Sequence, residues 1–176
     1  MLSAPKPRDE DIRLRALHHL GVLDTAAEDE FDALIKVASA VCGTPISLLS
    51  LVDTERQWFK ANVGLPGVSE TARDVAFCSH AILSDDILEV PDATADFRFL
   101  TTPLVKGNPD IRFYAGAPLK LSDGSRVGTL CVIDREPKSL TTFQREILSQ
   151  LAIAASRALE SRRALISERR LLETER

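Results

Sequence analysis

This chain has few of the residues that build metal centres, disulfide frameworks or membrane spans. It holds three cysteines, one methionine, one tryptophan and one tyrosine, and aromatics make up only 5% of it. Cys42, Cys78 and Cys131 are far apart and form no Cys-x-x-Cys pair, so neither a zinc site nor a thioredoxin-like redox motif is indicated. Buried free thiols are the expectation for all three. No uninterrupted apolar run approaches the ~20 residues of a membrane helix. Residues 1–13 lack the apolar stretch of a secretion signal, so a soluble cytoplasmic protein with no membrane partner is expected. Glycine-rich phosphate loops, His-Glu-x-x-His and Gly-x-Ser-x-Gly are all missing. The formal net charge of −4 argues against nucleic acid as a partner, because phosphate contacts need clustered positive charge.

What is present is ordinary globular composition, with 44% hydrophobic and 27% charged residues over 176 positions. That length suits one domain with a sizeable core. The spacing of Ile12, Ala16, Leu17 and Leu20 predicts a first helix over 9–20, stopped by Gly21. A second helix, capped by Asp24 or Thr25, carries Phe31, Leu34, Ile35, Ala38 and Val41. Residues 45–53 and 56–61 read as a β-hairpin. After the Gly/Pro loop 64–69, a middle helix is expected from Arg73 or Asp74 to Leu83, then a short strand over 87–90. Residues 92–109 show no period, and a loop of that length is often functional. Residues 112–119 and 127–133 form a second hairpin about Ser122-Asp123-Gly124. A long terminal helix follows Thr141 or Thr142. Its seam of Ile147, Leu151, Ala154, Ala158, Leu165 and Leu172 suits pairing with another helix.

The fold class expected is α+β. A central antiparallel sheet of five or six strands would carry the terminal helices on one face and the middle helix and long loop on the other. No catalytic set stands out. His18 and His19 read as solvent-facing, and Cys78 and His80, two apart on a helix, do not share a face. The loop acids Asp92, Asp96 and Asp110 are ordinary turn caps or members of a binding site. Arg98, between Phe97 and Phe99, is a clamp for an anion or an anchor for its own loop. Trp58 and Tyr114 read as core. A sheet under a long irregular cover is what a small-molecule pocket or a bare interaction module would show.

The ordered segments Arg15-Ala16-Leu17, Leu20 to Thr25, Ile46 to Asp53, Arg56 to Lys60, Arg73 to Ile82, Val90 to Ala93, Arg112 to Leu119 and Gly128 to Asp134 resemble bacterial GAF domains. The resemblance covers roughly positions 10–160. It implies an antiparallel sheet with a ligand-sized cavity and a regulatory role before a histidine kinase, a diguanylate cyclase or a similar output. It departs from the family pattern at Ala72 and in Asp96-Phe97-Arg98-Phe99, where prolines are expected. Cys78 and His80 are separated by Ser79, unlike the adjacent pair of bilin-binding relatives. The Asn-Lys-Phe-Asp-Glu signature of cyclic-nucleotide-binding relatives is absent.

The resulting expectation is a GAF-like sensor over 1–160 with a C-terminal signalling helix over 161–176. It would be non-catalytic and would need no cofactor. An unidentified small molecule would sit against Phe77, Phe99 and Tyr114, with directional hydrogen bonds from His80, Asp92, Arg98 and Thr129. The chain would form a homodimer through its terminal helices and report to a C-terminal output domain. Two alternatives stay open: an interaction module without ligand, and a thiol-dependent methionine sulfoxide reductase.

Overall fold

The computed structural model describes residues 3–175. The chain runs α1 (Glu10–His19), α2 (Asp29–Cys42), β1 (Ile46–Val52), β2 (Arg56–Val63), β3 (Glu70–Ala72), α3 (Cys78–Ala81), β4 (Leu88–Val90), α4 (Pro103–Lys106), β5 (Phe113–Lys120), β6 (Arg126–Asp134) and α5 (Thr142–Thr174). Six antiparallel strands form one sheet in the order β3-β2-β1-β6-β5-β4. The α+β class and the layer arrangement expected from the sequence are those observed. Met1, Leu2 and Arg176, which fall within the expected boundaries, lie outside the described residues.

Every residue of β1 is buried, because both faces of the sheet are covered. Leu49 and Leu51 pack with Phe31, Ile35 and Ala38 of α2 and with Leu148, Ala155 and Leu159 of α5. Leu48, Tyr114, Cys131 and Ile133 face the opposite layer, under Phe77, Phe99, Val105 and Ile111. Fully burying each such large side chain contributes about 1.5–3 kcal/mol. The long segment between β4 and β5 is therefore a packed lid. Its only regular pieces are a 3₁₀ turn at Ala93–Ala95 and the four-residue α4, too short to leave a period in the sequence.

Three local expectations differ from the structure. The middle helix expected over 73–83 is a 3₁₀ turn at Arg73–Val75, an extended Ala76, and then the four-residue α3. Competing bonds break it: Arg73 is drawn to Glu10 of α1, and the Ser79 hydroxyl donates to the Arg73 carbonyl. The helix expected after Asp24 or Thr25 starts only at Asp29. Asp24 adopts a left-handed φ of 62°, and Thr25 donates its hydroxyl to the Val22 carbonyl. In α1 the apolar Ile12 faces out at 54% exposure, whereas Arg13 is fully buried, donating to the Val52 carbonyl at 2.6 Å and to Glu10 at 2.8 Å.

Candidate functional site

On the sheet face away from α1, α2 and α5 lies a cavity of about 190 Å³. Its floor is Leu48 of β1, Gln57 and Phe59 of β2, Tyr114 of β5, and Cys131 and Ile133 of β6. Strand alternation puts these side chains on one face. Its cover is Phe77, Leu104 and Ile111, and its rim is Leu65, Val68, Thr71, Asn108 and Pro109. Gly116 keeps the floor compact. A Cβ there would stand 2.3 Å from the Tyr114 hydroxyl, so the ring occupies the space that a side chain would take.

The lining carries no ionised group. Burial pushes the Cys131 thiol up to about 12 and raises the Tyr114 phenol well above its usual range. Burial, then the nearby Cys131, raises the Cys78 thiol as well. Cys78 donates its S–H to Gln57 Oε1, and Gln57 Nε2 donates to Thr71 Oγ1 at 2.6 Å. Cys42 is buried in the core of the opposite face. All three thiols are protonated at neutral pH, the reverse of what a nucleophilic thiol needs. Among the described residues no cluster of His, Cys, Asp and Glu is able to hold a metal ion.

Of the residues expected to form the site, Phe77 and Tyr114 line the cavity, with ring centroids 5.0 Å apart. Phe99 stacks behind Phe77 at 4.1 Å, and His80 sets its ring edge against Phe99 at 4.9 Å. The four polar residues do not line the cavity. Arg98 lies 5.1 Å above the Phe99 ring and is held by Asp96 through two hydrogen bonds, of 2.7 and 3.0 Å. Asp92 caps the 3₁₀ turn by accepting from Thr94 N–H and Oγ1. Arg98 and Asp92 border instead a shallow outer depression beside Phe97. Thr129 sits behind Tyr114, its hydroxyl 3.4 Å from the phenol oxygen. Local turn bonds claim the loop acid and base, and His80 is set against the Phe99 ring outside the cavity. Sequence reasoning missed Gln57, Phe59 and Thr71. The available signal was alternation: Gln57 and Phe59 are two apart on one strand and so share a face.

One ion-pair relay joins a wall of the cavity to α5. Leu49 pairs with Ala61 and Ser50 with Phe59, so Lys60 is the extra residue of a β-bulge. Strand alternation turns Lys60 away from Phe59 and toward the helical layer, and the bulge brings Ala61 to that same face. There the Lys60 ammonium, fully buried, donates to Thr25 Oγ1, the Ala26 carbonyl and Glu28 Oε2. Glu28 also accepts from Arg162 Nε of α5 at 2.8 Å. Burial opposes ionisation of Glu28, but hydrogen bonds from Lys60 and Arg162 outweigh it and lower its pKa.

The GAF domain family profile matches residues 26–159. The chain belongs to the GAF domain family. It is 46% identical over 138 residues to a cyclic di-GMP phosphodiesterase of Pseudomonas aeruginosa, a match covering 78% of this chain and 23% of that protein. That relative is named as an enzyme, so the expectation of a non-catalytic protein is withdrawn. The fold resembles the GAF domain of an Acinetobacter phosphoenolpyruvate-protein phosphotransferase, with TM-score 0.65 and 15% identity over 93% of this chain and 99% of that one. It resembles equally the blue-light absorbing form of the Thermosynechococcus elongatus PixJ GAF domain, with TM-score 0.65 and 15% identity over 93% and 96% of the two chains. No described helix of this GAF domain is long and apolar enough to cross a membrane.

Proposed function

We propose that this GAF domain is the regulatory sensor of a cytoplasmic signalling enzyme of the cyclic di-GMP phosphodiesterase kind. Residues 1–160 hold a small molecule in the cavity above the sheet. Residues 161–176 pair with a second copy and carry the change to an output domain. The observation that carries this reading is the roofed, uncharged cavity, whose wall strand β2 also supplies Lys60 to the relay ending on α5. Occupancy changes α5 only if the ligand favours one arrangement of that relay over another. The 46% identity to a cyclic di-GMP phosphodiesterase supports the choice of output.

Native mass spectrometry of the purified chain tests the sensor reading. A molecule retained at unit stoichiometry, and lost when Tyr114 or Phe77 is truncated to Ala, is the expected result. A cavity filled by the protein's own side chains, with nothing retained from cell extract, would leave an interaction module in its place.

A further inference from the structure

We propose that the cavity takes a neutral, predominantly apolar molecule of one ring or two fused rings, and that phosphate-bearing nucleotides do not enter it. This rests on the sensor reading above and adds the chemical class of the occupant.

Size sets the first limit. An apolar cavity of ~150 Å³ admits benzene or a xenon atom. The cavity here, about 190 Å³, has room for little more than that, which is a compact bicyclic molecule rather than a base, sugar and phosphate. Charge sets the second. Among the described residues no Lys, Arg or His borders the cavity, and the ionisable groups that line it, Cys131 and Tyr114, are held neutral by burial. A phosphate placed there would lose its hydration with no counter-charge or cationic donor in return. Arg98, the cation that came closest in sequence to an anion clamp, is spent on Asp96 outside the cavity.

The walls favour a flat occupant. The Phe77 and Tyr114 rings are stacked with an interplanar angle of 27°, and Phe59 lies across the floor with Leu48 and Ile133 beside it. Ring stacking adds attraction beyond burial of area. One polar edge is available. Gln57 Oε1 accepts the Cys78 S–H and keeps its second lone pair, and Nε2 uses one of its two hydrogens on Thr71. The occupant is therefore a flat apolar body with a single N–H or O–H directed at Gln57.

Indole is the probe that fits these terms, and cyclic GMP and inorganic phosphate are the counter-probes. Each is titrated into the full chain by calorimetry at several temperatures, and methyl NMR of the unmutated protein reports the location. Indole is expected to bind saturably with a negative heat-capacity change and to shift the Leu48, Leu104 and Ile133 methyl signals while leaving Leu34 of α2 unmoved. Leu104→Trp, which fills the cavity from its cover, is expected to weaken indole by about tenfold or more, a loss of ~1.4 kcal/mol. The methyl shifts keep the test decisive if that variant does not fold. Cyclic GMP or phosphate moving the same methyls would overturn the ligand class and leave the sensor reading standing. Indole binding without those shifts would place it elsewhere and overturn the proposal. No binding by any probe, with nothing retained in native mass spectrometry, would remove both.

Discussion

Glu10 shows how one side chain ties the first helix to the 3₁₀ turn that follows β3. Its carboxylate receives Arg73 at 2.6 and 3.0 Å and Arg13 at 2.8 Å. Burial raises its pKa, but hydrogen bonds from Arg73 and Arg13 prevail and hold it at about 2, against an ordinary 4.5. A carboxyl depressed on folding contributes stability above its unfolded pKa and loses it as pH falls through the folded one. The contribution is therefore whole above about pH 4.5 and gone near pH 2, and amounts to about 3 kcal/mol. Glu10→Gln is expected to lose most of it at neutral pH and to flatten the acid limb between those pH values. Urea unfolding at neutral pH and at about pH 3 checks this. An unchanged pH slope in the variant would show that Glu10 does not carry it. Arg13 and Arg73 were not legible as buried residues, since an arginine enters a core only when a specific acceptor waits for it, and that acceptor comes from elsewhere in the chain.

At the scale of elements, period decided what was readable. The α5 start followed from Thr141, which forms a capping box with Gln144. The second hairpin followed from Asp123-Gly124, with Gly124 at φ 91°. The three-residue β3 and the four-residue α3 and α4 are shorter than any repeat that would announce them. They form because neighbours supply their hydrogen bonds. The β2 bulge, which sets Ala61 on the helical face beside Lys60, was equally invisible. Glu28→Gln is expected to cost about 2 kcal/mol. That is less than the ~3–5 kcal/mol for breaking a fully buried pair, because Glu28 is 38% exposed and Lys60 keeps Thr25 and Ala26 as acceptors. The same variant should speed amide hydrogen exchange in α5 around Arg162. Equal exchange in both proteins would mean that the relay does not reach α5.

For the whole molecule, the question is what covers the far end of α5. Its buried residues stop at Leu159, and Leu165, Leu171 and Leu172 are 57, 65 and 55% exposed. A helical end with so little packing of its own is marginal in water and gains from a partner helix. Removing residues 165–176 is expected to change unfolding free energy by less than ~0.5 kcal/mol while converting a dimer to a monomer in light scattering at several concentrations. A full chain that stays monomeric at high micromolar concentration would sink the pairing.

Composition and hydrophobic period by themselves determined the α+β class, the two hairpins and the long helices, because those depend on neighbours a few residues apart. The ordered segments from Arg15 to Asp134 were enough to place the chain among GAF domains. Only the tertiary structure decided where the cavity lies and what lines it. Phe77 and Tyr114 were foreseen, but Gln57, Phe59 and Thr71 reach the site through strand pairing. His80, Asp92, Arg98 and Thr129 are taken up by ring and hydrogen-bond contacts around it. A side chain's chemistry is written in its identity, but its direction is set by which partner satisfies it first. That competition is settled by residues distant in sequence and close in space.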